Sequence, residues 1–120
     1  MKTATIRIRK DTNAVLREAA QRFKQVWKTG QPQGACFTFS TAEQLFRTVT
    51  PKRWALLEKL QAIGPISLRG LARELERDVK RVHEDTTVLQ EVGLIERDER
   101  RKLIVPYRVI HIDFDLEVAA

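Results

Sequence analysis

The chain has 120 residues and carries 22 Lys and Arg against 16 Asp and Glu, a net charge of +6. That length fits one domain with an extension, and 42% apolar residues suffice for a core. The positive excess points to an anionic partner; no apolar run reaches the ~18 residues of a membrane span; and the single cysteine, Cys36, excludes an internal disulfide.

Cys36 is expected as a buried thiol in a reducing, cytoplasmic setting. The first residues are charged and lack an apolar stretch, so no secretory signal is expected. The charge is unevenly spread. Residues 1–36 hold eight basic and two acidic residues, whereas residues 66–102 hold nine of each.

Residues 3–9 alternate, with Ala4, Ile6 and Ile8 against Thr3, Thr5, Arg7 and Arg9, and predict a half-buried strand. Asp11-Thr12-Asn13 offers helix caps. Val15/Leu16, Ala19/Ala20, Phe23 and Val26/Trp27 recur at helical spacing as far as Gly30. Gln31-Pro32-Gln33-Gly34 reads as a turn or linker. Residues 1–34 are thus expected to form a strand-helix arm for dimerisation, and 35–120 the domain itself.

Ala35 to Phe39 reads as a short strand. Ser40 or Thr41 caps a brief helix carrying Leu45 and Phe46. Thr50-Pro51 starts the next helix, with proline in the first turn where its missing N–H costs nothing. Trp54, Leu57, Leu60 and Ile63 form that helix's apolar stripe, flanked by Ala55 and Leu56. Gly64-Pro65 ends it, and Ile66 is a one-residue apolar stitch. Ser67 caps a short helix with Leu68, Leu71, Ala72 and Leu75 inward. Glu76-Arg77 is a turn, and Asp78 caps a helix over 79–92. Val82 and Leu89 share its buried face, with Val79 and Val92 nearby, and Gly93 sits where positive φ is usual.

Leu94-Ile95-Glu96-Arg97 reads as a strand, 98–102 as a charged turn, and Leu103 to Tyr107 as a strand bent at Pro106. Residues 110–116 alternate Ile110, Ile112, Phe114 and Leu116 with His111, Asp113 and Asp115, a second half-buried strand. Helix, helix, turn, helix and basic hairpin is the order of a winged helix-turn-helix, so the expected fold is α+β.

The same stretch resembles the MarR-like winged-helix transcription regulators, above all a compact group of DNA-binding or antitoxin-type proteins encoded beside small toxins. Val49-Thr50-Pro51-Lys52-Arg53, Gly64 through Ala72, Asp78 through His83, Leu89 through Arg97 and Val105-Pro106-Tyr107 carry the resemblance, which covers roughly Phe39 to Leu116 by the winged-helix template. It implies a DNA-binding regulator, with a small toxin protein as a further partner. Two positions depart from the group: Glu84 stands where an arginine is common, and Thr86 where an aliphatic residue is.

For DNA contact the sequence offers Lys80, Arg81, His83 and Thr87 on the polar face of helix 79–92. It also offers Arg100, Arg101 and Lys102 on the hairpin turn, and Lys52, Arg53 and Arg69 near helix starts, where N–H donors also favour phosphate. Arg73 could act likewise, and Arg73 or Arg77 could instead pair with nearby acids. Taken alone, each cluster also reads as a solvated face or a soluble hairpin tip. His83 and His111 lack partners at metal-ligand spacing, and no glycine-rich phosphate loop follows a strand. No catalytic residue, metal or cofactor is expected. The expectation is a DNA-binding regulator dimerised through Ile6, Ile8, Leu16, Phe23 and Trp27; the alternative is an antitoxin or protein-interaction module that autoregulates its operon.

Overall fold

The computed structural model describes residues 2–8 and 34–116. The expected helix between Asn13 and Gly30, with Leu16, Phe23 and Trp27, lies outside the described residues. The chain mixes strands and helices: β1 Lys2–Ile8, β2 Ala35–Phe39, α1 Ala42–Thr48, α2 Pro51–Ile63, α3 Leu68–Leu75, α4 Val79–Val92, β3 Glu96–Arg97, β4 Leu103–Ile104 and β5 Tyr107–Asp113. It divides into two units. One is Phe46–Arg108; the other comprises the described residues of Lys2–Leu45 and Val109–Ala120.

In the second unit β1 is the middle strand of a three-stranded sheet ordered β2-β1-β5. The expected alternation holds as far as Ile6: Ala4 and Ile6 are buried and Thr3 is exposed, whereas Ile8 is half-buried like Arg7. β1 and β2 run parallel, with Ala4 opposite Ala35 and Ile8 opposite Phe39. Gly34 leads into β2 where a Cβ would overlap the Thr3 carbonyl oxygen, so only glycine allows this approach. Residues 2–8 therefore do not form an arm separate from residue 35 onward; β1 is built into a sheet with β2 and β5. Cys36 is half-buried rather than buried, because it lies on β2, an outer strand of the sheet.

In the first unit local chemistry sets each helix boundary. Thr50 Oγ1 accepts from Arg53 N–H at 3.3 Å, Ser67 Oγ from Gly70 N–H at 3.0 Å, and Asp78 Oδ2 from Arg81 N–H at 3.4 Å, each satisfying a first-turn donor. Gly93, with φ 105°, ends α4. Ile66 stitches to Leu103 through both backbone bonds, at 3.1 and 2.8 Å. α2 touches α3, α4 and β4, and α3 packs on α4. Leu56, Leu57, Leu60, Leu71, Ala72, Val82, Leu89, Leu94, Ile95, Leu103, Val105 and Tyr107 form the core.

Three expectations are corrected. In α2 the buried positions are Leu56, Leu57 and Leu60, while Trp54 is half-buried and Ile63 exposed. Residues nine apart lie about half a turn apart around a helix, so Trp54 and Ile63 cannot share one buried face. In α1 only Leu45 is buried, and Phe46 is 58% exposed. The last strand is Tyr107–Asp113 rather than 110–116. Pro106 stands between β4, which pairs with β3, and β5, which pairs in the other sheet with β1; Ile112 is 42% exposed and Leu116 fully so.

Thr86 is the one polar residue buried in the core among the described residues. Its Oγ1 donates to His83 O at 3.0 Å, and Thr87 Oγ1 donates to the same oxygen at 2.8 Å. Removing the Thr86 hydroxyl thus leaves no acceptor empty. Thr86→Val is expected to raise the unfolding free energy by about 0.5–1 kcal/mol, since an isosteric methyl avoids burying a hydroxyl. Chemical denaturation checks it; a net loss would mean that the hydroxyl supports α4.

Candidate nucleic-acid interface

Val82, Thr86 and Leu89 turn one face of α4 into the core, so Lys80, Arg81, His83, Glu84 and Glu91 are exposed and Thr87 is half-buried. The face expected from the sequence is therefore present, with Glu91 added. Its charge changes sign along the helix. Lys80 and Arg81 occupy the first turn, which contains no acid, and Glu91 lies in the last turn, which contains no base. This order opposes the helix dipole, which favours acids at the start and bases at the end by about 0.3–1 kcal/mol each. Helix stability does not account for it.

The hairpin tip is built by Asp98. Its Oδ1 accepts from Arg100 N–H and Lys102 N–H, both at 2.9 Å, and its N–H bonds Lys102 O at 2.9 Å. β3 and β4 pair antiparallel on either side, Glu96 opposite Ile104 and Arg97 opposite Leu103. Arg100, Arg101 and Lys102 are left exposed in a row. Arg101 has φ 62°, a left-handed conformation that costs a non-glycine residue about 1–2 kcal/mol.

Lys52 and Arg69 are exposed at the starts of α2 and α3. Arg53 is different. Its Nε donates to Asp85 Oδ1 at 2.9 Å, and its Nη1 to Thr48 O at 2.9 Å and Arg47 O at 3.3 Å. Arg77 Nη2 donates to Asp85 Oδ2 at 2.6 Å. Arg53 is thus corrected from a phosphate ligand to a bridge joining the end of α1, the first turn of α2 and α4. Arg77 does pair with an acid, as one of the two alternatives held. Burial alone would raise the Asp85 pKa, but hydrogen bonds from Arg53 and Arg77 and their charges hold it below its ordinary value of 3.8.

Two further contacts brace the site. Gln61 Nε2 donates to Tyr107 O and Arg108 O, both at 2.9 Å, tying α2 to the start of β5. Tyr107 Oη donates to Gly93 O at 3.2 Å, holding the end of α4. Burial and the charge of Glu96 push the Tyr107 phenol up. Among the described residues, no group of three or more His, Cys, Asp and Glu side chains could hold a metal ion. None of the described helices is long and apolar enough to cross a membrane.

Residues 48–112 match the model of the HVO_A0114 family, a span of more than half the chain that contains α2, α3, α4 and the hairpin. The chain belongs to the HVO_A0114 family. It is also similar to a solved structure from Listeria innocua Clip11262, described as a protein with unknown function. The two are 26% identical, with 78% of this chain and 67% of that one covered and a TM-score of 0.44. No curated protein matches the chain.

Proposed function

We propose that this HVO_A0114-family chain is a sequence-specific, double-stranded-DNA-binding transcription regulator of winged helix-turn-helix form. α3 and α4 are the helix-turn-helix pair, α4 enters the major groove, and the hairpin around 98–102 is the wing. It acts in the cytoplasm as a homodimer, without cofactor or catalysis. The observation that carries the reading is the charge order on α4: Lys80 and Arg81 stand at its N-terminal end against the helix dipole. That end is the one that reaches base edges in this docking mode. Glu84 can accept from a cytosine amino group. The exposed Arg100, Arg101 and Lys102 reach phosphate or the minor groove.

Selection of bound duplexes from random DNA tests the proposal. Enrichment of a motif with two-fold symmetry is expected, and a bound pool with the input's composition would sink it. Arg81→Ala is expected to weaken binding to the selected duplex by about 1–3 kcal/mol and to relax preference at one base position. Because Arg81 is exposed, the melting temperature should barely change. An unaltered titration and motif would remove Arg81 from the base-reading set.

A protein-interaction role, as an antitoxin that covers a toxin and represses its own operon, is favoured by one observation. β5 is an outer strand of its sheet and leaves Val109 and Ile112 exposed. Such a strand can take up another chain's strand. Light scattering at tens of micromolar tests the homodimer directly, a monomer mass being the contrary result. Co-purification with the product of an adjacent small reading frame would support the antitoxin role.

A further inference from the structure

α3 and the first residue of α4 border a cleft of about 370 Å³ lined by Arg69, Ala72, Arg73, Arg77 and Val79. Every charged side chain in that lining is an arginine. Arg69 and Arg73 are four residues apart on α3, so they lie on one helix face as a repelling like-charge pair. Both are exposed, and among the described residues neither has an ion-pair partner within 4.0 Å. Glu74 and Glu76, their nearest acids in sequence, form no ion pair with them.

The wall behind is also positive. Arg53 and Arg77 share the single carboxylate of Asp85, which leaves that trio with a net charge of +1. Arg77 Nη1 is buried and has no hydrogen-bond partner. A guanidinium satisfied only in part, beside two arginines without an ion-pair partner among the described residues, gathers three cations in one lining. Planar guanidinium forks suit the oxygens of a phosphate, which they can grip in pairs. Ala72 and Val79 add no polar group that would favour a differently shaped anion.

We infer that this cleft is a seat for one phosphate group, gripped by Arg69 and Arg73, with Arg77 adding positive field from behind. The inference rests on the DNA-binding reading and deepens it: the expected source of the phosphate is the backbone of the duplex that α4 reads. Val79 is the first residue of α4, so a phosphate held there fixes the end of the helix from which Lys80 and Arg81 project. Backbone contacts of this kind set register, while base contacts specify sequence. The Asp85 carboxylate holds Arg77, one of the lining residues, at 2.6 Å.

The test uses the full chain and the Arg69→Ala/Arg73→Ala double variant. Binding to the selected duplex is measured by fluorescence anisotropy at several salt concentrations. The variant's slope of log K against log salt should become shallower by about 0.9 for each phosphate that is no longer neutralised. Its base preference and melting temperature should match the parent's. A second arm titrates inorganic pyrophosphate against both proteins and follows the melting temperature. A shallower slope supports a backbone phosphate. An unchanged slope, with pyrophosphate stabilising the parent but not the variant, supports a seat for the phosphate of a small molecule. An unchanged slope with no differential pyrophosphate effect overturns the seat while leaving DNA binding in place. A parent that binds no duplex instead defeats the DNA reading, and the pyrophosphate arm then decides the seat by itself.

Discussion

Leu89→Ala is expected to lower the unfolding free energy by roughly 2–5 kcal/mol, the range for emptying a leucine site in a core that relaxes only partly. Leu89 is completely buried, seven residues after Val82 on the same face of α4. It also sits where α4 turns into the hairpin. Its carbonyl accepts from Gly93 N–H at 3.1 Å, Leu94 N–H at 3.0 Å and Ile95 N–H at 3.3 Å. Leu94 and Ile95 are themselves buried, so a cavity at Leu89 opens beneath the C-cap and the strand that follows. Leu89→Met nearly conserves volume and should cost less than about 1.5 kcal/mol. Denaturant titration of the three proteins measures both effects. An alanine curve overlying the parent's would mean that α4 is rotated from the phase described.

The elements legible in the sequence are those governed by local chemistry. Thr50-Pro51, Ser67 and Asp78 announce helix starts because a side-chain oxygen there satisfies a first-turn N–H wherever the rest of the chain goes. Gly93 announces a stop because its conformation excludes most other residues. What the sequence hides is decided by partners distant along the chain. Trp54 and Ile63 fit an apolar spacing but diverge around α2. The strand at residues 2–8 shows its own alternation but not its neighbours, so its place between β2 and β5 could not be read. The bounds of β5 show the same limit: residues 110–116 alternate well, yet the strand is Tyr107–Asp113, because its extent depends on pairing with β1, about a hundred residues away in sequence.

The candidate interface divides in the same way. The exposed residues of α4 follow from helical phase once Val82 and Leu89 are taken as buried. Arg53 could not be separated from Lys52 by sequence, since both are cations in the first turn of one helix. Only the fold brings Arg53 to Asp85, 32 residues away. A signal was nevertheless present. Asp85 lies three residues after Val82 and four before Leu89, on the edge of the buried stripe. A carboxylate at such a position must find a cation or lose its charge, so it pointed to an arginine contributed by another segment. The cleft beside Arg69 and Arg73 has no comparable signal, because its shape depends on how α3 meets α4.

Asp85→Ala is expected to destabilise the fold by about 2–4 kcal/mol, toward the lower end for breaking a buried ion pair because the three side chains keep some solvent contact. Their exposures are 14% for Asp85, 19% for Arg53 and 20% for Arg77. The loss arises mainly from what remains, two arginines facing each other without the carboxylate between them. The isosteric Asp85→Asn variant separates charge from shape. The Asp85 pKa lies below its ordinary 3.8 in the folded chain, so the ionised form binds its neighbours more strongly than the unfolded state can. That contribution is complete above the unfolded-state value and declines as pH falls from it through the lower folded-state value. The stability gap between the parent and Asp85→Asn should therefore stay level from about pH 5 to pH 8 and narrow in acid below 3.8. Salt should reduce it only slightly, because partly buried pairs are screened less than exposed ones. Urea titrations across that pH range measure the gap. A gap that widened in acid would mean that the fold disfavours the ionised carboxylate, and one that vanished in high salt at neutral pH would show that Asp85 contributes no more than an exposed surface pair.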